Sequence, residues 1–109
     1  MAWKIKWTLS AWKDLKDSAD FIAKDSPVYA SAFVLEVRDA ARSLTRFAKR
    51  GHVVPEFSNP FIREIFAGNH RLIYIAKNNE VYILSVIHGS RSLWTLWKGE
   101  RKSQSRKFH

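Results

Sequence analysis

Arg71-Leu72-Ile73-Tyr74-Ile75-Ala76, then Lys77-Asn78-Asn79, then Glu80-Val81-Tyr82-Ile83-Leu84-Ser85-Val86-Ile87-His88 is the stretch that decides the fold. Both apolar runs are rich in Ile, Val, Leu and Tyr, side chains that fit a pleated, half-buried surface. Asn78-Asn79 between them is a turn pair that tolerates positive φ, so the spacing predicts a β-hairpin. The second run is apolar at nearly every position, as expected of a central strand covered on both faces. Just upstream, Phe61 to Ala67 has the same texture, and Gly68-Asn69 separates it from Arg71. Three strands in a meander follow from these signals.

Further towards the N-terminus the period changes from two to 3.6. Ala30, Phe33, Val34, Val37, Ala41 and Leu44 recur at helical spacing, with Ser26 as a good N-cap and Pro27 suited to the first turn. Lys49-Arg50-Gly51-His52 ends this helix, and Pro55 and Pro60 bracket a loop. Before it, Trp12, Leu15, Ala19, Ile22 and Ala23 form a second stripe, capped by Thr8 or Ser10. Asp14 and Asp17 are expected near the positive end of that helix. With Lys24-Asp25-Ser26-Pro27 as the only connection, the two helices should form an antiparallel hairpin. Trp3, Ile5 and Trp7 alternate with lysines, the pattern of a half-buried first strand. The expected fold is therefore α+β, in the order β-α-α-β-β-β, with a helical hairpin packed on one face of a small, mostly antiparallel sheet.

At 109 residues the chain has the size of a single domain with one real core. Nineteen Lys and Arg against ten Asp and Glu leave a net charge of +9, a field that attracts polyanions and acidic proteins. The segment from Arg91 to His109 concentrates it: six basic residues against Glu100 leave +5. Ser92 to Lys98 are expected to form a helical turn, with the rest of this basic extension mobile. No cysteine is present, so disulfides and cysteine-ligated zinc are excluded. There is no apolar run of signal-peptide or membrane-span length, so the expectation is a soluble, cytoplasmic protein without membrane contact.

No nucleotide-binding, zinc-protease or hydrolase motif is present, and His52, His70, His88 and His109 lack the spacing of a metal site. No cofactor is called for. The chemistry-bearing groups sit at strand ends: Arg63-Glu64, His70-Arg71, and His88-Gly89-Ser90-Arg91. The hairpin should gather Arg71, Arg91 and His88, with Glu64 beside them. Two arginines there could hold a scissile phosphate, and His88 or Glu64 could take a proton from a 2′-hydroxyl. The other reading makes Arg63 and Glu64 ordinary cross-strand salt-bridge partners, worth under about 1 kcal/mol. His88 would then only hydrogen-bond backbone. A second candidate surface is Trp94 and Trp97 interleaved with Lys98, Arg101 and Lys102, which could stack on bases or grip a partner. The alternative is that both Trp rings fold onto the core.

Several ordered motifs resemble the RelE/ParE toxin superfamily. They are Trp7-x-x-x-Ala11-x-x-Asp14-Leu15, Asp25-Ser26-Pro27 followed by Ala32-Phe33-Val34, Val54-Pro55-Glu56, Ile62-Arg63-Glu64, Arg71-Leu72-Ile73-Tyr74, and Ile83-Leu84-x-Val86-Ile87-His88-Gly89-x-Arg91. The resemblance covers residues 3 to 93, leaving 94 to 109 as a basic extension. It implies a helical hairpin on a small sheet, and a growth-inhibiting toxin of a type II toxin–antitoxin, or plasmid stabilisation, system. RelE-like members cut messenger RNA on the translating ribosome, without metal, using basic residues at positions like Arg71 and Arg91. ParE-like members poison DNA gyrase by binding it. The His88-Gly89-Ser90-Arg91 ending is more similar to the ParE-like branch. Trp94 and Trp97 occupy the region where RelE-like enzymes carry a catalytic Tyr or His, and no Tyr follows Tyr82. The resemblance therefore implies gyrase inhibition and a cognate antitoxin, with ribosome-dependent RNA cleavage or a non-toxic basic binding module as the alternatives.

Overall fold

The computed structural model describes residues 2–89. Arg91, Trp94, Trp97, Lys98, Arg101 and Lys102, the expected helical turn and the rest of the basic extension lie outside the described residues. Within them the order is β1 (Lys4–Trp7), α1 (Leu9–Ala23), α2 (Pro27–Ser43), β2 (His52–Val53), β3 (Ile62–Ala67), β4 (His70–Lys77) and β5 (Glu80–His88). The five strands form one sheet in the order β1-β5-β4-β3-β2, parallel between β1 and β5 and antiparallel elsewhere. This is the expected α+β arrangement, with one addition. The two-residue strand β2 is too short to leave a periodic signal and exists because His52 and Val53 lie across from Glu64 and Arg63.

Both helices start where the local chemistry places them. Thr8 accepts from the Ala11 amide at 3.1 Å and Ser26 from the Tyr29 amide at 3.2 Å, with Pro27 in the first turn of α2. Asn78 and Asn79 carry φ of 54° and 63°, the paired positive values of a tight hairpin turn. Leu15 and Ala11 of α1, Phe33, Val37 and Ala41 of α2, and Leu44 pack on Ile65, Leu72, Tyr74, Val81, Ile83 and Val86 as one core. Val54 and Ile73 form a smaller cluster with Phe57, Ile62, Leu84 and Ile87. By strand alternation it lies on the sheet face away from the helices.

Trp12 departs from the expected core stripe of α1. It is 54% exposed and packs edge-to-face on Trp7, centroids 6.3 Å apart, so the buried positions are Ala11 and Leu15. Asp14 and Asp17 also lie beyond the first turn of α1, which holds no acidic residue, so neither sits at the positive helix end as expected, and Asp14 has another role. Its carboxylate accepts from Ser85 Oγ at 2.9 Å and from the Val86 amide at 3.0 Å, pinning α1 to β5. Burial pushes its carboxyl above the usual range, while these two donors pull it back. Asp14→Ala should cost about 1–3 kcal/mol, because it strands the Val86 N–H and the Ser85 hydroxyl. Asp14→Asn keeps an acceptor and should stay near wild type. Urea midpoints of the two variants check this.

Candidate functional site

β3 and β4 present opposite chemistry on their two faces. Ile65 and Ala67, like Leu72 and Tyr74, enter the helix-side core. The intervening positions, among them Glu64 and Arg71, emerge on the other face. Glu64 lies opposite Ile73, and Arg71 opposite Phe66, so the two charged side chains meet on a diagonal. They form a close ion pair in which Arg71 Nη2 donates to Glu64 Oε2. Each side chain is only 12% exposed. Arg71 Nε is buried without a hydrogen-bond partner among the described residues. Arg63 is not part of this pair. Its guanidinium donates to the carbonyls of Gly51 (2.8 Å) and Lys49 (3.3 Å) and fastens the segment that leaves the helices.

His88 is not with them. A register shift sits between Ile73 and Tyr74, which pair with Ser85 and Ile83, so Leu84 is an extra residue in β5. Val81 and Ile83 face the helices before it; after it the even-numbered residues do, and Val86 is in the same core. His88 therefore turns to the helix side, opposite His70 in the register. The two imidazoles stand 5.2 Å apart, edge-on, and Phe33 of α2 lies 4.4 Å from the His70 ring. Of the expected group, the structure brings Arg71 and Glu64 together on one face and sets His88 on the other. Arg91 lies outside the described residues. The side chains that sequence reasoning missed here are His70 as a partner of His88, and Glu36. The Glu36 carboxylate rests so close over the Gly68 turn that a methyl group on Gly68 would collide with it.

Burial pushes the His70 imidazole below its ordinary range; the neighbouring His88 adds to this and Glu36 opposes it. As pH falls below the ordinary value of 6.5, the unfolded chain takes up this proton before the folded chain does. The stability tied to His70 is therefore complete above that pH and lost as pH falls through 6.5 towards the lower folded value. Urea midpoints at pH 7.5 and pH 5.5 should differ less for His70→Gln than for wild type.

Among the described residues no helix is long and apolar enough to cross a membrane. Residues 5–93 match the family described as ParE toxin of type II toxin-antitoxin system, parDE. The chain belongs to this family. No curated protein sequence matches it. Among solved structures, this ParE-family toxin is similar to a chain of the chromosomal ParDE toxin–antitoxin system of P. aeruginosa, with TM-score 0.66, 22% identity, and 80% of this chain and 96% of that one covered. A chain of the RelBE2 toxin–antitoxin complex of Mycobacterium tuberculosis gives TM-score 0.56 at 24% identity, covering 81% and 99%. The conserved hypothetical protein HP0894 of Helicobacter pylori gives 0.52 at 20% identity, covering 82% and 97%. At these identities the likeness shows the shared fold.

Proposed function

We propose that this ParE-family toxin arrests growth in the cytoplasm by binding DNA gyrase, and that a cognate antitoxin holds it inactive. The observation that carries this reading is the closed Glu64–Arg71 pair. A phosphate would have to displace a carboxylate from a guanidinium that is already largely buried. His88, the expected proton acceptor, stands on the opposite face of the sheet with His70. An RNA-cleaving centre built from these three side chains thus lacks its common face, whereas a protein-binding toxin has no need of one. The family match points to the same branch.

The antitoxin is expected to be a smaller protein with an acidic, flexible segment that orders on the +9 surface. The ParDE and RelBE2 neighbours come from toxin–antitoxin systems. Supercoiling and DNA-cleavage assays with purified gyrase, run beside primer extension on translated messages, test the proposal. Inhibited gyrase with intact messages is the expected result. Cut messages with unaffected gyrase would overturn it in favour of ribosome-dependent cleavage. Coexpression with the neighbouring reading frame should restore growth.

A further inference from the structure

The open end of the β4–β5 hairpin places two metal-ligating side chains opposite each other on one face, away from the Glu64–Arg71 pair. His70 and His88 are direct cross-strand partners. The Gly89 amide donates to the Asn69 carbonyl at 2.6 Å, which makes Asn69 and Gly89 a hydrogen-bonded pair. In an antiparallel ladder such pairs alternate with narrow ones, so His70 and His88 form a narrow pair whose side chains stand closest.

The spacing of the two ring centroids is the one that two ligands on one ion would have. An ion about 2 Å from a ring nitrogen lies about 3.2 Å from that ring's centroid, and two rings set at a tetrahedral angle then stand about 5.2 Å apart. His70 and His88 stand at 5.2 Å, with their planes at 75°. Phe33, 4.4 Å from the His70 ring, supports that ring from α2. His88 is exposed and gives access from solvent. The Glu36 carboxylate, resting against the turn that leads into β4, adds negative potential at the same end of the hairpin.

We propose that His70 and His88 form a two-nitrogen site for a divalent transition-metal ion of intermediate softness, zinc or nickel, which ties together the open end of the hairpin. Imidazole suits these ions. Among the described residues no group of three or more metal-ligating side chains gathers, so water completes the coordination. The site makes no use of gyrase or of an antitoxin, and its test is independent of both.

The experiment titrates zinc chloride, and separately nickel chloride, into the full chain without an added histidine tag, read by calorimetry and by the thermal midpoint. The expected result is one saturable ion per chain and a raised midpoint. His88→Gln should weaken binding roughly tenfold or more and abolish the midpoint shift. His52→Gln and His109→Gln should leave both unchanged. A second readout needs no variant: nickel should broaden the imidazole proton resonances of His70 and His88 before those of His52 and His109. Absence of saturable binding, unchanged affinity in His88→Gln, or broadening centred on His52 or His109 would each overturn the proposal.

Discussion

Glu64→Ala should destabilise the fold by about 3–5 kcal/mol, the range for removing one partner of a buried ion pair. At 12% exposure of each side chain, the lower end of that range is expected. The cost comes from Arg71. Its Nη2 loses the Glu64 carboxylate, and its Nε already lies buried without a partner among the described residues. A guanidinium cannot discard its charge as a buried carboxyl can. Glu64→Gln should fall between wild type and Ala, since an amide oxygen still accepts but no longer carries charge. Replacing both residues, Glu64→Leu with Arg71→Leu, removes the desolvation cost with the pair, and the double variant should return to near wild-type stability. Urea midpoints across this set, analysed as a double-mutant cycle, measure the coupling. The same variant separates the functional readings. If toxicity is a protein-binding activity that does not use Arg71, a folded double variant still arrests growth. If Arg71 holds a phosphate during RNA cleavage, growth recovers while the fold persists.

The difference between what the sequence reveals and what it hides follows the range of each interaction. Ser26-Pro27, Asn78-Asn79 and the stripe from Ala30 to Leu44 were legible because a cap, a turn and a helix face are decided within a few residues. The near-continuous apolar character of β5 also announced a central strand, and β5 lies between β1 and β4. The site depended on something less local. Simple alternation from Val81 and Ile83 would put His88 on the face shared by Glu64 and Arg71. One extra residue at Leu84 reverses that parity, and His88 joins His70 beside α2. Nothing in Ile83-Leu84-Ser85-Val86 marks the bulge as a sequence signal. Asp14 illustrates the same limit, since its partners Ser85 and Val86 lie some seventy residues away. The local reading places it at a helix start, yet it lies past the first turn of α1, where its carboxylate reaches β5 instead. Trp12 misled for the opposite reason: helical spacing identified a face but not how far round the helix the core extends.

Gly51→Ala should be strongly destabilising, at about 3 kcal/mol, the upper part of the usual overpacking range. A Cβ at Gly51 would stand 2.6 Å from the Glu64 carbonyl oxygen and 2.6 Å from the Tyr74 hydroxyl. Neither can yield easily. The first is backbone of β3 held in the sheet, and Tyr74 is fully buried in the core. The Gly51 amide also donates to the Tyr74 hydroxyl at 3.0 Å, so a backbone shift that relieves the collision weakens that bond too. Tyr74→Phe, which only strands the buried Gly51 N–H, should cost about 1–2 kcal/mol. In Gly51→Ala with Tyr74→Phe one collision disappears and the other stays, so the combined loss should be smaller than the sum of the single losses. Chemical denaturation of the three variants measures this. The position matters beyond its own contacts because it is where the helical hairpin passes to the sheet. Arg63 binds the Gly51 carbonyl, and the next residue, His52, pairs with Glu64. A Gly51→Ala protein as stable as wild type would mean that the segment does not cross β3 so closely, and the support that seats Glu64 against Arg71 would fall with it.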